Sequence, residues 1–140
     1  MNLGPPDYES GSTYFLMGSG NVVIGMEDLN LVDQTTDIIV SQATGRGGLS
    51  DDMDVADNYM WQVTETPKDV TDPNGDKVYT LTNIGTGKQL LINATGDEFI
   101  TDYSNVTSAD AARSFFAFSG WGAYDATART FICRKYFLYD

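Results

Sequence analysis

The chain contains no histidine. That removes Ser-His and Cys-His catalysis and every imidazole-ligated metal site. Its one cysteine, Cys133, has no partner for an intrachain disulfide. Cys133 lies in the apolar run Thr130-Phe131-Ile132-Cys133, where a thiol reads as a small core side chain rather than a nucleophile. Positive charge is also scarce: 8 Lys+Arg stand against 20 Asp+Glu, for a net charge of -12. A basic face able to displace counterions from phosphates is therefore missing, which excludes nucleic acid as a partner and disfavours anionic membranes. The acidity itself reads as solubility. No apolar run approaches the length of a transmembrane helix. The start, Met1-Asn2-Leu3-Gly4-Pro5-Pro6-Asp7, lacks the basic and apolar regions of a signal peptide. The location expected is cytoplasmic or non-classically secreted, or extracellular if the chain is a mature form. Proline is sparse, at 4 residues, whereas glycine reaches 14.

What is present is a chain of 140 residues, 41% hydrophobic and 12% aromatic, the size and composition of one globular domain. Glycines scattered between short β-rich runs predict an all-β fold. Residues 1–11 read as a flexible arm. Thr13–Met17 and Val22–Met26 form a hairpin across Gly18–Asn21. Glu27–Thr36 reads as a polar connection, Asp37–Ser41 as a third strand, and 42–57 as a long exposed loop. Tyr59–Thr64 is the fourth strand, with Trp61 as core anchor. Pro67–Asp76 is a loop ending in the strong turn Asp72-Pro73-Asn74-Gly75-Asp76. Val78–Asn83 and Gln89–Asn93 pair as a second hairpin, and Glu98–Tyr103 and Ser114–Phe118 are further strands. Between those two, Ser104–Ala112 is polar enough for a single helical turn. Gly120–Asp125 is a loop, and Arg129–Asp140 is one long strand or two with a tight turn.

These segments repeat. Tyr14-Phe15-Leu16-Met17 with Val22-Val23-Ile24 matches Tyr79-Thr80-Leu81-Thr82 with Leu90-Leu91-Ile92. Tyr59-Met60-Trp61-Gln62-Val63 matches Ser114-Phe115-Phe116-Ala117-Phe118. A four-strand unit seen twice, with a third beginning near the end, signals an architecture whose units bury their faces against one another. The phrase Tyr79-Thr80-Leu81-Thr82-Asn83-Ile84-Gly85-Thr86-Gly87-Lys88-Gln89-Leu90 resembles the opening hairpin of ricin-B-like repeats. Asn58-Tyr59-Met60-Trp61-Gln62-Val63, which leads into it, is similar to fungal members, including the lectin module of fungal pore-forming lectins. The resemblance implies a β-trefoil with pseudo-threefold repeats at about 12–66, 67–119 and 120–140, within one domain over 12–140. The third repeat is short, and the expectation is a truncated chain, with about 35 to 50 further residues completing it. Ricin-type repeats carry Gln-x-Trp; here Tyr59 takes the place of that Gln, and Ser114-Phe115-Phe116 has neither Gln nor Trp.

The function that the resemblance implies is non-enzymatic glycan recognition through shallow surface pockets, in which an aromatic ring stacks on the sugar and Asp or Asn groups meet its hydroxyls. The carbohydrate-binding residues expected are Asp97, Asp102, Tyr103, Asn105, Trp121 and Tyr124. Asp28, Asn30, Gln42 and Arg46 are less well supported counterparts in the first unit. Glycans or glycoproteins are the expected partners, and a homodimer is compatible with the sequence. An alternative on the same scaffold is a protease inhibitor acting through a protruding loop, for which 42–57 and 65–77 are long enough. A site-free structural or storage domain is a third reading. No cofactor or metal is expected: Asp51, Asp52, Asp54 and Asp57 crowd one loop, but without the spacing of a calcium-binding loop. Gly45-Arg46-Gly47-Gly48 lacks the Lys-Ser/Thr of a phosphate-binding loop. The carboxylates lie in turns, without the apolar surroundings that would raise a general acid's pKa, so no enzyme is expected. Asn93-Ala94-Thr95 and Asn105-Val106-Thr107 match the glycosylation triplet.

Overall fold

Strand β1, Thr13–Gly18, carries pairing partners on both of its edges. A computed structural model describes residues 8–20, 22–35, 57–66, 77–118, 120 and 122–139. Along one edge the first half of β1 pairs antiparallel with β4, Met60–Glu65, from Thr13↔Gln62 to Phe15↔Met60. Its second half pairs on that edge with β2, Val22–Glu27, from Leu16↔Ile24 to Gly18↔Val22. The opposite edge receives β9, Tyr136–Tyr139, from Phe15↔Tyr139 to Gly18↔Tyr136. Strand β3, Asn30–Thr35, extends the β2 side. From β4 the sheet continues through β5 (Tyr79–Asn83), β6 (Phe116–Ala117) and β8 (Thr130–Ile132) to β7 (Ala123–Asp125). The result is an all-β, nine-stranded sheet curled into a half-barrel. The β6–β8 contact is parallel, whereas the other strand pairs are antiparallel.

The curl closes over one core. Leu16, Met26, Trp61, Val63, Tyr79, Leu81, Leu90, Ile92 and Phe116 are buried there. Each large apolar side chain removed from water contributes roughly 1.5–3 kcal/mol. Trp61 is the anchor expected of it: fully buried, its indole N–H donates to the Ile24 carbonyl at 2.8 Å. Side chains alternate across β1, so Phe15 joins Val23 and Tyr59 in a smaller cluster on the other face, with Met17, Val32 and Met60 beside it.

Several sequence expectations are corrected. A strand forms at Asn30–Thr35, inside the segment read as a polar connection. Its polar residues lie on the outermost strand of the sheet, and Asp28, with φ of 52°, makes the two-residue turn that brings it back to Glu27. Gln89–Asn93 and Glu98–Tyr103 are not continuous strands; they touch the sheet through the bridges Thr82↔Gln89, Ile92↔Phe99 and Asn30↔Asp102. Ala123–Asp125, read as loop, is a strand. The ending resolves into two strands around Cys133–Lys135. The single helical turn is present as α1, Ser108–Ala111, closed by a capping box between Thr107 and Asp110.

The N-terminal arm is tied down from Tyr8 onward. Tyr8 stacks edge-on against Tyr14, Tyr79 and Phe118, and its N–H donates to the Tyr79 hydroxyl at 3.0 Å. Its own hydroxyl oxygen accepts from the Leu138 N–H of β9. Residues 1–7 and the expected strand 37–41 lie outside the described residues, as do most of the loops 42–57 and 65–77, including Gln42, Arg46, Asp51, Asp52 and Asp54.

Candidate functional site

The turn Asn93–Glu98 is bracketed by hydrogen bonds for a reason visible in its sequence. The Asn93 side-chain oxygen accepts from the backbone N–H groups of Gly96 (2.9 Å), Asp97 (3.2 Å) and Glu98 (3.4 Å). Asn does this because its short amide mimics a backbone carbonyl. Gly96 adopts φ of 77° there, and a Cβ on it would sit 3.0 Å from the Cβ of Tyr124. The Tyr124 N–H donates to the Gly96 carbonyl at 3.0 Å, fastening the turn to β7.

This turn forms one wall of a cleft of about 460 Å³, within the roughly 300–1,000 Å³ usual for small-molecule sites. Asp97 and Glu98 stand on that wall, with Arg134 and Lys135 of the β8–β9 turn and Tyr136 at the start of β9 also lining the cleft. Phe99 and Tyr136, both half-buried, meet with ring centroids 4.9 Å apart and planes tilted by 40°. Phe131 and Cys133 lie deeper. Gly122 has φ of 78°, and a Cβ there would stand 3.2 Å from the Cβ of Arg134, so the arginine stem passes directly over the glycine. The cleft thus offers acceptors on one side, cations on the other and aromatic surface between.

Asp97 and Cys133 in the cleft have shifted protonation equilibria. Hydrogen bonds from Thr95, foremost, and Asn93 hold the Asp97 carboxyl below the usual carboxylate range, with Lys135 adding to the effect. Asp97 is therefore an acceptor at neutral pH, not a proton donor. Burial pushes the Cys133 thiol up to about 11, so it is protonated and unreactive at neutral pH. No group of three or more acidic or thiol ligands gathers among the described residues in a way that would hold a metal.

Of the residues expected from sequence that the structure describes, Asp97 is in the cleft and Asp102, Tyr103, Asn105 and Tyr124 do not line it. Asp102 is exposed, and its carboxylate accepts from the Ser104 N–H and hydroxyl, closing a local turn. Tyr103 is 7% exposed, with its hydroxyl donating to the Gln89 carbonyl at 2.8 Å, so its ring packs in the core and presents no stacking face. Burial raises the pKa of that phenol. Asn105 is exposed and lines no part of the cleft. Tyr124 packs against the core and Gly96. Trp121 lies outside the described residues. Sequence reading missed Glu98, Phe99, Arg134, Lys135 and Tyr136. The signal was Arg134-Lys135-Tyr136, two cations beside an aromatic in a chain with few cations.

No family model, curated protein or solved structure matches the chain. Among the described residues, no helix is long and apolar enough to cross a membrane. A second, more open cleft is lined by Asp28, Leu29, Asn58, Gly85, Thr86 and Lys88. It has no aromatic wall.

Proposed function

We propose that this protein is a non-enzymatic carbohydrate-binding protein, and that its glycan site is the cleft between the Asn93–Glu98 turn and the β8–β9 turn. The observation that carries the reading is the pairing of half-buried aromatic surface with exposed carboxylates on a hydrogen-bonded rim. A sugar ring has an apolar face suited to Phe99 and Tyr136. Its hydroxyls suit Asp97 and Glu98, because an ionised carboxylate only accepts and has several lone-pair positions. The rim is fixed before any ligand arrives, by Asn93 and by Tyr124, so little ordering is required on binding.

A β-trefoil scaffold with a shortened third repeat is the finer reading of the fold. It is supported by the divided pairing of β1 between β4 and β2, and by the arrival of β9 on the other edge of β1. Glycans or glycoproteins are the partners.

The test is a glycan array on the full chain, followed by Asp97→Ala with Glu98→Ala. Binding to one group of glycans, lost in the double variant with an unchanged far-UV circular dichroism spectrum, is the expected result. A folded protein that binds nothing on the array overturns the proposal.

A further inference from the structure

Only 8 of the 140 residues are basic, and three of them, Arg129, Arg134 and Lys135, fall within seven consecutive positions. Among the described residues the ion pairs are Lys77–Glu65 and Arg113–Asp110, and neither Arg134 nor Lys135 belongs to them. Both are exposed at the cleft mouth, and the Arg134 stem is seated over Gly122. Neither forms a salt bridge among the described residues of this chain of net charge -12, although Lys135 lies near enough to Asp97 to help hold its carboxyl low. Two cations held at one side of the cleft, opposite the carboxylate wall, give it a positive side and a negative side.

We infer that the ligand of this cleft is an acidic sugar, a uronic acid or a similar carboxylated pyranose. This rests on the carbohydrate reading above and narrows it. The sugar carboxylate lies against Arg134 and Lys135, the apolar ring face on Tyr136 and Phe99, and the hydroxyls on the far side of the ring against Asp97 and Glu98. A guanidinium takes a carboxylate through parallel N–H donors, which sets the orientation of the ring. The carboxylate wall works in the same direction. It repels an anion placed backwards and so admits one orientation.

The experiment compares matched methyl glycosides that differ at a single carbon, the glucuronide against the glucoside and the galacturonide against the galactoside. Each is titrated into the full chain by calorimetry, with ligand-observed NMR for weak binders. The expected result is a preference for the acidic member of at least one pair by roughly tenfold to hundredfold, the range of one charge-assisted contact. Arg134→Gln with Lys135→Gln should erase that preference, lowering the acidic member's affinity far more than the neutral member's. Both side chains are exposed, and circular dichroism checks that the variant folds. Equal affinity for acidic and neutral members overturns the acidic assignment while the carbohydrate reading stands. An acidic preference that survives in the double variant overturns the placement at this cleft. Binding of none of the four glycosides, on a protein that also fails the array, removes both readings together.

Discussion

In residues 13–65, β2 meets β3 along six consecutive pairs, from Val22↔Thr35 to Glu27↔Asn30. In residues 79–117, the stretch that the sequence aligns with β2 makes only the isolated bridges Thr82↔Gln89 and Ile92↔Phe99. Beyond the β4–β5 ladder, the second region has single backbone hydrogen bonds, such as Leu90 N–H to the Leu81 carbonyl, and adds side-chain brackets to them. The buried Asn83 amide donates to the Asn58 carbonyl at 2.8 Å and accepts from the Thr86 N–H and hydroxyl, both at 3.0 Å. Asn93 gathers three backbone N–H groups. Asp102 closes its own turn, and Thr107 and Asp110 cap α1. Arg113 pairs with Asp110 and donates to the Ile92 carbonyl at 2.8 Å. Ladders need no particular side chain, but they fix the backbone as extended strand. Side-chain brackets can hold irregular turns in place, and the proposed site is built from such a turn.

The largest effect that would sharpen this contrast comes from the core anchor that both regions share. Trp61→Ala should destabilise by about 3–5 kcal/mol, since it empties a fully buried site and strands the Ile24 carbonyl. Urea unfolding measures it, and a loss under about 1 kcal/mol would mean that Trp61 is not the anchor. Next, Asn83→Ala should cost about 2–3 kcal/mol, because it removes a buried, hydrogen-bonded amide and leaves the Thr86 N–H without its partner, while the Asn58 carbonyl keeps the Met26 N–H. Its ladder-side counterpart, Asp28→Gly, should stay within about 1 kcal/mol of the parent, since glycine accepts the left-handed φ of 52° freely. If the two variants lost similar stability in the same melt, the distinction between brackets and ladders would fail. Asn93→Ala should cost about 1–2 kcal/mol, less than Asn83→Ala because the turn is partly solvated. In that variant, hydrogen exchange should quicken at Gly96–Glu98 and stay unchanged at Val22–Glu27.

Acid provides the gentlest test. Asp97, Asp102 and Asp110 are all held below their ordinary value of 3.8, the first two chiefly by side-chain hydrogen bonds and Asp110 chiefly by the Thr107 N–H. A folded pKa below the unfolded one gives stability that is present above 3.8 and lost as pH falls through the folded value. All three lie in the bracketed region. Hydrogen exchange read as pH drops below about 4 should therefore show residues 93–113 losing protection before residues 22–35. The reverse order would contradict the contrast.

The all-β class was legible because β-branched and aromatic runs alternate with glycine turns. Trp61 and Cys133 read correctly as core because each sits in an apolar run. The phrase from Asn83 to Lys88 was legible as a pattern, and its geometry explains it. Asn83 is buried and bonded, a Cβ on Gly85 would overlap the Asn58 side chain, and Gly87 has φ of 72°. Every one of those constraints concerns backbone shape, which is why the pattern points to a fold more firmly than to a ligand. β3 was illegible because an outermost strand with Asp33 and Gln34 carries no alternating apolar signal. Of the residues lining the proposed site, the sequence reading named only Asp97 as a binding residue. Residues 97–99 and 134–136 are separated along the chain and come together only through tertiary packing. Tyr103 misled because an aromatic between polar neighbours reads as exposed, whereas its hydroxyl has an internal acceptor.

The pairing of β1 with β9 sets the order in which the molecule can be completed. Phe15 and Tyr139 are partners, yet during synthesis at about 5–20 residues per second roughly 120 residues separate their emergence, an interval of some 6–25 seconds. Throughout that time one edge of β1 has no neighbour, and the Tyr8 hydroxyl has no Leu138 N–H to accept. A nascent chain of this protein therefore displays an open strand edge flanked by apolar residues until β9 emerges, the interval in which a chaperone would find it.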